Sequence, residues 1–129
     1  MIITKKMPYS EIKKKLKKSD RISILSCNSC ARICNTGGGD NLNKLKTQLE
    51  KDGFEVCDAL IVAVPCNSDM VKNERKNITG NVILCQACDA AVYNLKKDFP
   101  KKKVVPVIGS IGLGAFTEKG YISLVRKFK

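Results

Sequence analysis

Cys27, Cys30 and Cys34 form a C-x-x-C-x-x-x-C cluster directly after the apolar run Arg21 to Ser26, in a chain that contains no histidine. Thiolates crowded at a strand end suit zinc or an iron-sulfur cluster and suit hard, oxygen-liking cations badly. Free cysteine is often simply buried among apolar side chains. Three cysteines in a loop that also carries Asn28, Ser29 and Arg32 point instead to ligation. Cys66 and Cys88 arrive at two later strand ends, each ahead of a helix whose positive end favours an anionic ligand. A [4Fe-4S] cluster takes four thiolates, and the 7 cysteines allow one such cluster but not two. One Zn2+ is the alternative; four-thiolate zinc sites typically use two C-x-x-C pairs, for which Cys27/Cys30 and Cys85/Cys88 are available. Cys57 and Cys85 lie within apolar strand segments and read as core thiols, with Cys85 one residue from a strand end.

Gly37 and Gly38 follow the cysteine loop. They match neither the dinucleotide nor the P-loop fingerprint, and their expected use is to make the turn and bring backbone N–H groups close to cluster sulfides. No catalytic constellation stands out. General acid–base chemistry without histidine would fall on 12 scattered carboxylates, a lysine or a tyrosine. The chain therefore reads as an accessory to catalysis with no active site of its own.

The elements that position these thiols follow from periodicity. Residues 8–20 place Tyr9, Ile12 and Leu16 on one face of an expected helix whose other side is lysine-rich. Residues 21–26 read as a strand, and Asp40 is placed to cap a helix carrying Leu42, Leu45 and Leu49, ended by Gly53. Phe54 to Val64 reads as a second strand, stopped by Pro65-Cys66, and a polar helix runs from Ser68 to about Asn77. A third strand starts at Asn81 to Leu84, and Asp89 leads a helix bearing Ala91, Leu95 and Phe99, which Pro100 terminates. Lys103 to Ile108 is a fourth strand, followed by a loop at Gly109, Gly112 and Gly114 and a short C-terminal helix through Leu124 and Val125. Alternating strands and helices predict a single α/β domain over residues 1–129, a three-layer sandwich around a mostly parallel sheet of about four strands. In such sheets ligands bind beyond the carboxyl ends of the strands, where the direction of crossover switches. If the first of these strands lies between the second and third, thiols distant in sequence converge in one crevice.

Composition bounds the partners. The formal charge of +12 predicts attraction to acidic surfaces, including an acidic electron carrier. The scarcity of aromatic residues, and the lack of any recognition motif, argue against nucleic acid. Met1 to Lys6 lacks the apolar core of an export signal, and the longest apolar run, Ala59 to Val64, is far short of the roughly 20 helical residues that span a bilayer. The expected setting is the cytosol, where clustered thiols hold metal more often than they form disulfides.

Leu25 to Gly38, then Pro65-Cys66, Ala87 to Val92 and Val105-Pro106-Val107, together resemble the MetV family. These are the small cysteine-rich subunits of methylenetetrahydrofolate reductases, and the resemblance is to their short form. The likeness extends over nearly the whole chain, with Asn28 standing where the family pattern has a glycine. It implies a Rossmann-like subunit carrying a cluster or zinc beside a flavin-containing (FMN or FAD), MetF-like barrel subunit that performs the reduction. It carries over Cys27, Cys30, Cys34, Cys66 and Cys88 as ligand candidates, with Cys88 favoured as the fourth ligand. The second cysteine-rich region of longer family members has no counterpart in these residues.

Overall fold

The computed structural model describes residues 1–129. Its centre is a parallel sheet of four strands, β2 (Arg21–Cys27), β3 (Glu55–Val62), β4 (Val82–Gln86) and β5 (Lys103–Pro106), in the order β3-β2-β4-β5. The strand that ends in the cysteine loop thus lies between the next two, as the convergence of thiols requires. Register is fixed by pairs such as Leu25 with Leu60 and with Cys85. Ile22, Ile24, Leu25, Ile83 and Leu84 are all fully buried. Consecutive buried positions mean that both faces of these strands are covered, as parallel sheets demand.

The helices supply that cover. α3 (Gly38–Lys51) joins β2 to β3 and packs on both. α4 (Ser68–Lys72) lies in the β3-to-β4 crossover and α5 (Asp89–Asp98) in the β4-to-β5 crossover, and the two pack together. The first crossover steps one way across the sheet and the later two step the other way, so right-handed connections place α3 on one face and α4 with α5 on the other. The result is the three-layer, Rossmann-like α/β sandwich expected from the alternation of elements.

Several boundaries depart from expectation. α1 spans only Tyr9–Lys14. The chain turns by Asp20, whose carboxylate accepts the Lys17 N–H at 2.8 Å while its own N–H donates to the Lys17 carbonyl. α3 starts ahead of Asp40 with Gly37 as its cap, leaving Asp40 in the first turn, where a carboxylate favours the helix dipole. α4 is cut to five residues, with Asn67 accepting from the N–H groups of Asp69 and Met70, and a short 3-10 turn follows at Arg75–Asn77.

The C-terminal expectation is overturned. Residues expected as a glycine loop and a helix form β6 (Ile108–Phe116) and β7 (Ile122–Lys127), which join β1 (Ile2–Lys6) in a separate antiparallel sheet ordered β1-β6-β7. Its glycines sit where strands need room. A Cβ on Gly112 would come within 2.6 Å of the Leu124 side chain, and one on Gly114 would strike Ile3.

Candidate metal centre

β2 ends at Cys27, which is buried, and its Sγ accepts the Ser29 N–H at 3.3 Å. The next residues form a single helical turn, α2 (Cys30–Ile33). The carbonyl of Ala31 in this turn accepts the N–H groups of Thr36 and Gly37 at 2.9 and 3.0 Å. Asn35 adopts φ 58°, the left-handed region that Asn tolerates better than most residues. The loop is thereby folded back on itself, and the Cys34 N–H donates to the Cys30 carbonyl at 3.0 Å across the turn.

Gly37 then wedges into the crevice between the two central strands. A Cβ there would meet the Ala31 Cβ at 2.8 Å and the carbonyls of Cys27 and Gln86 at 3.1 Å each. Gly38, at φ 85°, donates its N–H to Ser26 Oγ at 2.9 Å. The N–H groups of both glycines are engaged inside the chain, and their visible role is to seat α3 against the strand ends.

A polar network that the sequence reading missed holds this seat. Ser26 Oγ donates to Gln86 Oε1 at 2.6 Å, and Gln86 Nε2 reaches the Asn41 carbonyl at 3.3 Å. Asn41 Nδ2 donates to the Gly37 carbonyl at 2.9 Å and to Asn35 Oδ1 at 3.0 Å. The available signal was a polar residue near the carboxyl end of each of the two central strands, Ser26 and Gln86. A cleft of about 270 Å³ opens beside this network, lined by Tyr9, Leu45 and Gln86 among others, and holds no cysteine.

Cys66 and Cys88 come from the opposite face. Cys88 is the half-buried cap of α5, its carbonyl accepting the Ala91 N–H at 3.0 Å. Cys66 is exposed in the loop after Pro65. Asn94 of α5 reaches back to that loop, donating to the carbonyls of Pro65 and Cys66 at 3.1 and 2.9 Å.

Cys88, Cys27 and Cys30 all act electrostatically on the Cys66 thiol, and Cys88 and Cys27 act likewise on Cys85. Partial desolvation pushes the Cys66 thiol up, and charge on Cys88, Cys27 and Cys30 pushes it further. Cys34, one turn further along the same loop, has its thiol directed to the Ile2 carbonyl of β1 at 3.8 Å. Cys85 is fully buried in β4, where desolvation pushes its thiol far up. Cys57 lies towards the other end of the sheet, its thiol donating to the Ile22 carbonyl at 3.3 Å. No three Cys, Asp or Glu side chains converge into a ready cage for a metal ion. The donor set nonetheless fits a soft centre in kind: thiols at the carboxyl ends of three adjacent strands, in a chain without imidazole.

Comparison of the chain with protein-family models, with curated proteins and with solved structures finds no match. No helix is long and apolar enough to cross a membrane.

Proposed function

We propose that this chain is an electron-transfer subunit that holds one [4Fe-4S] cluster on Cys27, Cys30, Cys66 and Cys88 and serves a flavin-containing reductase partner, as in the methylenetetrahydrofolate reductase complexes whose small subunit it resembles. What supports this is topology: Cys27, Cys66 and Cys88 follow the carboxyl ends of three adjacent parallel strands, with Cys30 in the turn after Cys27, and Cys88, Cys27 and Cys30 each act on the Cys66 thiol. When bound, such a centre supplies one-electron transfer without proton or group chemistry. The chain's own residues contribute the rest. Ser26, Gln86 and Asn41 fix the strand ends, Asn94 holds the Cys66 loop to α5, and Gly37 lets α3 approach. Cys34 becomes a residue of the β1 contact in this reading, a change from its place among the three clustered candidates. The expected setting is the cytosol, with electrons drawn from an acidic carrier.

Purification without oxygen tests the reading. The protein should be brown, with about four irons per chain. A colourless protein with stoichiometric zinc and no iron overturns it. That outcome defines the second reading, a scaffold subunit closed by Zn2+, which the same four-thiol set supports because structural zinc is commonly held by four cysteines.

A further inference from the structure

The small sheet carries an anomaly that the thiol site does not use. β7 is an edge strand, and every one of its residues is exposed. Its pairing with β6 puts Ile122 opposite Phe116 and Leu124 opposite Gly114. Side chains of one strand alternate between faces, so Phe116, Ile122 and Leu124 share one side, where they remain 52%, 40% and 50% exposed. Leu124 leans over Gly112, and Ile3 lies over Gly114 beside it. Two- and three-stranded sheets of this size need an apolar face covered to be stable, and none of these three side chains joins the hydrophobic core.

Charge and position select what covers it. Residues 108–129 carry Lys119, Arg126, Lys127 and Lys129 against the single acid Glu118. A second copy of a +12 chain is repelled from such a face. An irregularity in the pairing at Leu113/Gly114, with Arg126 and Lys127 beside it, also breaks the flat edge that self-pairing needs. The sheet is tied to the thiol edge as well. The Asp89 N–H, next to Cys88, donates to Ser110 Oγ of β6 at 3.1 Å, and Cys34 meets β1 at Ile2.

We propose that the β1-β6-β7 sheet is the docking surface for an acidic protein partner, which covers Phe116, Ile122 and Leu124 and is held beside the thiol-bearing edge. This deepens the reading above, on which it rests for the partner being a redox subunit; the surface itself is argued independently of any metal. The probe is the complex isolated anaerobically from the native host, compared with the free full-length chain by hydrogen exchange. Amides of residues 114–125 should exchange about ten-fold or more slowly in the complex, the partner's sequence should be net acidic, and rising salt should dissociate the two. Leu124→Glu should weaken binding about ten-fold or more. Ser123→Glu, on the other side of β7, should weaken it far less. Unchanged exchange over 114–125, a basic partner, failure of any protein to co-isolate at low salt, or a self-dimer protecting the same amides overturns the proposal. Metal counting on the same samples separates the two readings. A brown chain whose hairpin stays unprotected in the complex sinks only the docking surface, and a protected hairpin on an iron-free chain sinks only the cluster.

Discussion

The side-chain amide of Asn94, on the second turn of α5, hydrogen-bonds the carbonyl of Cys66 at 2.9 Å. Asn94 is itself buried, so the bond joins the loop after β3 to the helix that Cys88 caps. Two thiols separated by a whole crossover are thus held by one residue. Asn94→Ala should cost about 1–3 kcal/mol, chiefly from leaving the buried Pro65 carbonyl unsatisfied. It should also lower metal retention. Thermal unfolding together with metal content per chain checks both, and an unchanged melting temperature would contradict the role.

The proposed ligand assignment separates the cysteines. Single replacement of Cys27, Cys30, Cys66 or Cys88 by Ser should reduce bound iron to a small fraction, whereas Cys34→Ser and Cys57→Ser should leave it near the wild-type level. Iron counting and absorbance on anaerobically purified variants decide the matter. Loss of iron in Cys34→Ser with retention in Cys66→Ser would reverse the assignment.

Gly37 has no room for a side chain. With the Ala31 Cβ at 2.8 Å and two strand carbonyls at 3.1 Å around the position of its missing Cβ, Gly37→Ala should destabilise the fold by about 1–3 kcal/mol through overpacking. Denaturant unfolding reads this directly. Gly39→Ala, where the nearest atom is Ile61 Cδ1 at 3.6 Å, is the matched control and should cost well under that.

Acid should weaken the fold at Asp58. Burial pushes its carboxyl up, but donation from the Thr79 N–H, Ser23 Oγ and Thr79 Oγ1, each at 2.7 Å, outweighs burial and holds it below the usual range. A carboxyl depressed on folding contributes stability that is present above its unfolded-state pKa of about 3.9 and is lost as pH falls through the lower, folded-state value. Asp58→Asn should therefore be less stable at neutral pH and show a flatter decline between about pH 5 and pH 2. Parallel decline in the two proteins would exclude the effect.

The parallel sandwich was legible because its signals are local. Each apolar run of strand length is followed by a turn residue and an amphipathic helix, from Ile22 to Ser26 and on to Leu42, Leu45 and Leu49. Placement of Cys27, Cys66 and Cys88 at strand ends followed from the same pattern. The antiparallel sheet was not legible. β1 pairs with β6 across most of the chain's length, Ile2 lying opposite Leu113, and nothing in either segment announces the other. Gly109, Gly112 and Gly114 read as loop, although two of them serve close strand packing. Six residues of Ile122 to Lys127 are too few to tell a helical period from a strand's. The position of Cys34 depended on that missing sheet, since its neighbour is Ile2. The seat made by Ser26, Gln86 and Asn41 needed three residues from three elements and had no sequence spacing to reveal it.

The order of the strands has a consequence for how the protein matures. Cys27 and Cys30 leave the ribosome long before Cys88, and the three loops meet only after β4 has inserted beside β2. On the proposed assignment the four thiols are available together only once Cys88 has emerged, after β4 is complete. Because the buried core is built almost entirely from aliphatic side chains, with Cys27 the only proposed ligand in it, the bare polypeptide should hold its shape before any centre is added.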